Sequence, residues 1–118
     1  MDFTVEPMKE ESISIASSGE TFIKEPDDVL DIIGNAPSMY VVLYEENFTK
    51  DYFDLSTKKL GEILQKFTNH RVKLATIGDF QKFTSKSLHA FIYETNRHGE
   101  YLFVPSIDEA KKIWTNLL

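Results

Sequence analysis

The chain has no cysteine. Disulfides, thiolate metal sites and a cysteine nucleophile are therefore excluded, and a reducing compartment suits it. Glycine is scarce, with five scattered residues, so no glycine-rich phosphate loop is present. The HExxH pattern is absent, and His70, His89 and His98 lack metal-ligand spacing. His70 and His98 instead fall at helix ends, where a cationic side chain favours the dipole. Neither a metal nor another cofactor is expected. No apolar run approaches the ~20 residues that span a bilayer. The first residues, Met1 to Glu6, lack the basic-then-apolar pattern of a secretory signal. The expected setting is cytoplasmic, without membrane contact.

Positive charge is also scarce at the start. The net charge is −6, and residues 1–59 hold 13 acidic but only 5 basic side chains. Residues 60–118 hold 8 basic and 6 acidic ones. Binding to nucleic acid rests on neutralising phosphates, so a nucleic-acid partner is not expected. The acidic half serves either as a solvated face or as a surface for a basic partner.

What the chain does have is a core. Hydrophobic residues make up 42% and aromatics 13% of 118 residues, which is enough for one domain with one interior. Phe3 to Met8 and Ser12 to Ala16 read as two short strands, joined tightly at Lys9-Glu10-Glu11 as a hairpin. Ile13 and Ile15 alternate with serines, the period of a half-buried strand. Thr21-Phe22-Ile23 either extends the sheet or leads into a helix. Pro26-Asp27-Asp28 opens a helix with Val29, Ile32 and Ile33 on one face, and Gly34 to Pro37 stops it.

From Met39 the chain alternates strand and helix with few spare residues. Met39 to Tyr44, Arg71 to Ile77 and Tyr101 to Val104 read as strands. Strands joined by helices lie parallel, because a crossover helix returns the chain to the same edge. A helix from Ser56 carries Leu60, Ile63, Leu64 and Phe67 at i, i+3, i+4, i+7. A second, Ser85 to Arg97, turns Leu88, Phe91 and Ile92 inward and ends at His98-Gly99. The last opens on Ser106-Ile107-Asp108-Glu109, a capping-box pattern, with Ile107, Ala110, Ile113, Trp114 and Leu117 inward. The expected fold is α/β: a mixed, mostly parallel sheet with packed helices, as a single domain over residues 1–118.

In such sheets ligands are met at the carboxyl ends of the strands, at a switch point. Polar residues converge there: Glu45 and Glu46, Asp54 to Thr57, Gly78-Asp79, Thr84 to Ser87 and Ser106. Three helix N-termini point to the same edge, and their free N–H groups suit an anion. Asp54, Ser56, Thr57, Asp79, Ser85, Lys86 and Ser87 are the candidate binding residues. Each serine, threonine and aspartate is also a plain capping residue, and Asp79 is equally a turn residue. Phe48 and Tyr52, with Phe53, form an aromatic loop among acids. Such a loop either plugs the core or offers a contact surface to a protein partner. No nucleophile–base pair stands out, so no catalytic residue is named and an enzyme is the weaker expectation.

The order of elements is similar to that of the anti-sigma-factor antagonists, the STAS or SpoIIAA-like fold. In those proteins an Asp-Ser-Ser-Gly-Leu-Gly type turn starts a helix and carries the phosphorylated serine. Here Asp54-Leu55-Ser56-Thr57-Lys58-Lys59-Leu60-Gly61 takes that place, with Lys58 or, one residue shifted, Thr57 at the switch position.

A closer resemblance rests on Phe53-Asp54-Leu55, Gly61-Glu62-Ile63-Leu64-Gln65-Lys66-Phe67, Arg71-Val72-Lys73-Leu74-Ala75, Gly78-Asp79-Phe80, Ser85-Lys86-Ser87-Leu88 and Phe91-Ile92-Tyr93-Glu94. These phrases resemble a family of small bacterial proteins known as a domain of unknown function, DUF4180. In that family the helix usually begins Thr-Gly-Leu-Ala-Gly; this chain has Thr57-Lys58-Lys59-Leu60-Gly61. The expectation from all of this is a non-enzymatic regulatory or protein-interaction module acting through the carboxyl edge. The alternative is a binder that senses or sequesters a small anionic or nucleotide-like molecule at the helix N-termini.

Overall fold

The computed structural model describes residues 2–17 and 19–118. It contains β1 (Phe3–Met8), β2 (Glu11–Ala16), α1 (Asp28–Asn35), β3 (Tyr40–Tyr44), α2 (Lys59–Asn69), β4 (Lys73–Ile77), α3 (Lys86–His98), β5 (Tyr101–Val104) and α4 (Ile107–Leu117). Four short 3-10 turns lie at Glu45–Asn47, Lys50–Phe53, Leu55–Thr57 and Phe80–Lys82. The element order is the one read from the sequence. One sheet of five strands runs β1-β2-β3-β4-β5. Only β1 and β2 are antiparallel; β2, β3, β4 and β5 pair in parallel.

The central strands have the continuous apolar character of doubly covered parallel strands. Residues 40–43 and 74–77 are buried without a break. Alternate side chains enter two cores. One face holds Val41, Leu43 and Leu74 with Val29 and Ile32 of α1, Leu60, Ile63, Leu64 and Phe67 of α2, and Leu88 of α3. The other holds Tyr40, Val42, Ala75 and Leu102 under Ala110 and Trp114 of α4. Each crossover moves one strand along in the same direction. With one handedness, all three crossover helices must land on the same face.

That sequential order has a consequence for the site. The parallel strands never reverse direction along the sheet, so no switch-point crevice exists of the kind expected from the sequence. Any hollow at the carboxyl edge must be built by the connections themselves.

Several local expectations are corrected. Ser14 is fully buried, because β2 is an inner strand covered on both faces; its hydroxyl meets that of Ser38 at 2.6 Å. Ser56 does not open α2. It lies in a 3-10 turn, and Lys58 reverses the chain with φ of 63° before the helix starts at Lys59. That left-handed backbone is one that glycine adopts without the steric cost a side chain brings. Leu117 is 55% exposed rather than inward. Ile23 neither extends the sheet nor starts a helix; it makes one parallel bridge to Phe48.

Helix ends follow the capping chemistry. Ser85 accepts from the Leu88 N–H and Ser106 from the Glu109 N–H, at 3.1 and 3.2 Å. Gly99 closes α3 with φ of 78°. A side chain there would also strike Leu117, since an added Cβ would lie 2.1 Å from its Cδ1. The Gly99 carbonyl accepts from the Trp114 indole at 2.7 Å, which pins α4 to the foot of β5. Trp114 packs edge-on to Tyr40 with ring centres 5.0 Å apart.

The β5 edge of the sheet is closed by α3. Asn96 donates to the Phe103 carbonyl at 3.1 Å and accepts from the Phe103 N–H at 2.8 Å. Thr95 donates to the Tyr101 carbonyl at 3.0 Å. These side chains occupy backbone positions that a further strand would need.

Candidate functional site

The exits of β3 and β4 frame a cavity of about 800 Å³. Its floor is Tyr44 and Ile77, the last residues of those strands, with Gly78 beside them. Phe48, Phe53 and Phe83 form apolar walls. Glu45, Glu46, Lys50 and Lys82 bring charge, and Thr21 and Thr49 complete the lining. The size and the mixture of aromatic wall and few polar groups fit a small-molecule site.

The residue that shapes this edge is Asn47. Its side chain is fully buried and satisfied at every polar atom. Oδ1 accepts from the Tyr44 N–H at 2.7 Å, and Nδ2 donates to the carbonyls of Ser17 and Glu20 at 3.2 and 2.7 Å. Its own carbonyl accepts from the N–H groups of Phe22 and Ile23 at 2.9 and 2.8 Å. Asn47 thus ties the exit of β3 to the segment that leaves β2. Sequence reasoning missed it, because an asparagine in a polar loop gives no sign of burial.

Glycine is required at position 78. A Cβ there would lie 2.7 Å from Glu45 Oε1 and 2.8 Å from Glu45 Cβ, closer than atoms tolerate. The vacant space lets Glu45 fold across β4 and meet Lys82 at 2.5 Å. This ion pair joins the turn after β3 to the turn after β4. The aromatic wall is itself rigidly packed. Phe53 has ring centres of Phe48, Phe80 and Phe83 at 5.7, 5.7 and 5.6 Å, and Phe80 meets Phe103 at 5.4 Å.

The aromatic loop is therefore chiefly a core plug. Phe48 and Phe53 are each 4% exposed and turn that edge to the cavity. Tyr52 is wholly buried and does not line the cavity. Its hydroxyl has no hydrogen-bond partner among the described residues. Burial, reinforced by the charges of Asp28, Asp51, Glu25 and Glu62, pushes its pKa up to about 12.

The other residues singled out in the sequence fall in two places. Asp54, Ser56 and Thr57 form a capping cluster ahead of α2. Asp54 Oδ1 accepts from the Ser56 hydroxyl at 2.7 Å and the Ser56 N–H at 3.0 Å. Those bonds hold the Asp54 carboxyl below its usual range. The Thr57 hydroxyl donates to the carbonyls of Asp51 and Asp54 at 3.1 and 2.9 Å. Asp51 pairs with Lys59 and accepts from the Thr49 hydroxyl, and the Lys59 bond above all lowers its pKa.

Asp79, Ser85, Lys86 and Ser87 lie beyond β4. Asp79 accepts from the Gln81 N–H at 3.2 Å and caps a 3-10 turn. It lines a separate depression with Phe80, His89 and Phe103. Ser85 is spent as the cap of α3, and Lys86 and Ser87 are exposed on its first turn. Among the described residues no hydrogen bond, ion pair or common cavity joins this group to Asp54, Ser56 and Thr57. Of the candidate binding residues only Phe48 lines the main cavity, beside Phe53 of the same loop and Glu45, Glu46 and Gly78, which the sequence also places at this edge; no α-helix N-terminus does.

No set of three or more histidine or acidic side chains is placed to hold a metal ion among the described residues. Among these residues no helix is long and apolar enough to cross a membrane. What the edge offers chemically is an aromatic slot with charged side chains at its border.

No curated protein and no solved structure matches the chain. The family described as "Domain of unknown function (DUF4180)" matches residues 8–113, from the last residue of β1 into the second half of α4, and the chain belongs to that family.

Proposed function

We propose that the protein is a binding module that works through the carboxyl edge of its parallel strands, with a small molecule seated in the cavity between the exits of β3 and β4. The observation that carries this reading is the aromatic-walled hollow of about 800 Å³, framed by Phe48, Phe53 and Phe83. An apolar slot bounded by a few charged groups is the general form of a small-ligand site. The ligand has a flat apolar body, because the wall presents ring edges and faces. The reading needs no bond-breaking step. A regulatory output, in a bacterial cytoplasm, is supported by the likeness in element order to the STAS-type antagonists. In such a role the ligand would set the shape of the edge that a protein partner meets.

The test is native mass spectrometry of the protein purified without denaturation, beside Gly78→Ala. That variant drives Glu45 from its seat and remodels the hollow. A small-molecule adduct held by the parent and lost in the variant supports the reading. An adduct held equally by both proteins counts against it.

A further inference from the structure

The charges at this cavity point to the class of ligand, on the reading that the cavity is a binding site. Four charged side chains line it: Glu45, Glu46, Lys50 and Lys82. Two of them cancel. Lys82 and Glu45 meet at 2.5 Å, with Glu45 sheltered at 21% side-chain exposure. The same carboxylate sits in space that only a glycine at position 78 leaves open, so this pair is a structural tie between two turns.

Glu46 and Lys50 remain. Glu46 accepts from the Gly19 N–H at 2.9 Å through Oε1, and it makes no ion pair among the described residues. Lys50 likewise makes no ion pair among these residues. The two flank Phe48 in sequence, two residues to either side, and both border the aromatic slot. One unpaired acid and one unpaired base therefore border one aromatic wall.

A simple anion does not satisfy that border. It would engage Lys50, leave Glu46 against it, and approach a protein of net charge −6. A simple cation would satisfy Glu46 and leave Lys50 facing it. We infer that the cavity takes an amphoteric aromatic molecule, with a cationic group met by Glu46, an anionic group met by Lys50 and a ring against Phe48, Phe53 and Phe83. An aromatic amino acid is the simplest member of that class.

The experiment is calorimetry with four indole probes: L-tryptophan, tryptamine, indole-3-propionate and indole. Glu46 and Lys50 are exposed, so each charge contact is worth roughly a two- to fivefold gain in affinity. L-Tryptophan should bind roughly two- to fivefold more tightly than either singly charged probe. Lys50→Gln should erase its advantage over tryptamine, and Glu46→Gln its advantage over indole-3-propionate. Neither substitution touches the core, and unchanged amide spectra would confirm that both variants fold. If indole alone binds as tightly as L-tryptophan, with amide shifts at Phe48 and Phe83, the cavity is a site but the amphoteric inference is wrong. If none of the four binds, the inference and the site reading fall together.

Discussion

Replacing Tyr52 with phenylalanine should stabilise the protein. The side chain is 0% exposed, and its hydroxyl has no partner among the described residues. A buried, unpartnered polar group costs about 1–3 kcal/mol. The ring itself is well used: it meets Phe48 edge-on at 5.8 Å and lies under the Lys59 ammonium, also at 5.8 Å. Phenylalanine keeps that packing and removes the desolvated oxygen. The expected gain is about 1 kcal/mol, or roughly 2–6 °C in Tm for a domain of this size. Urea unfolding at neutral pH measures it directly. The alkaline limb gives a second readout. The Tyr52 pKa is about 12 in the folded chain against 10.0 when free. The unfolded chain therefore loses this proton first, and folding stability falls as pH rises from 10.0 through about 12. Tyr52→Phe should lack that part of the decline. A variant destabilised by about 1 kcal/mol or more would show that the hydroxyl has a partner that matters.

Three further outcomes follow from other parts of the fold. Asn96→Ala strips both backbone bonds from Phe103 at the β5 edge, so it should cost about 1–3 kcal/mol in urea unfolding and promote self-association seen by sedimentation. Lys58→Gly relieves a side chain held at φ of 63° and should add roughly 0.5–1 kcal/mol to thermal stability. For Asp51, lowered in pKa chiefly by Lys59, the pair's contribution is present above 3.8 and disappears as pH falls through the folded value. Asp51→Asn should therefore be the less stable protein at neutral pH, and acid titration of unfolding should bring the two proteins together below that range.

Much of this architecture is legible in the sequence. Leu60, Ile63, Leu64 and Phe67 repeat with the helical period, and the structure buries all four. Residues 74–77 form an unbroken buried strand, and Ser85, Gly99 and Ser106 mark helix ends by chemistry that acts within a few residues. What local pattern does not carry is neighbourhood. Ser14 looks like a solvent-facing residue until β1 and β3 flank its strand and Ser38 bonds its hydroxyl. Asn47 looks like a loop residue until the exits of β2 and β3 converge on it. Lys58 looks helical, because the reversal that delays α2 leaves no mark in the hydrophobic period. Capping residues such as Asp54, Thr57, Asp79 and Ser85 stand out because helix starts are visible in sequence, and Glu45, Glu46 and Gly78 can be placed at the same edge. That the cavity is built by 3-10 turns, with the Glu45 carboxylate fitted beside Gly78, is not legible there. Phe48 joined the two views, since an aromatic residue among acids is visible at both levels.

A backbone amide shift map of the labelled protein, titrated with a set of small aromatic fragments, locates the ligand site. The shifts should gather on Glu45 to Lys50, Phe53, Ile77 to Gly78 and Lys82 to Phe83, around one cavity. Shifts centred instead on Asp54 to Thr57, or on Asp79 and Ser85, with the cavity residues unmoved, would contradict that site.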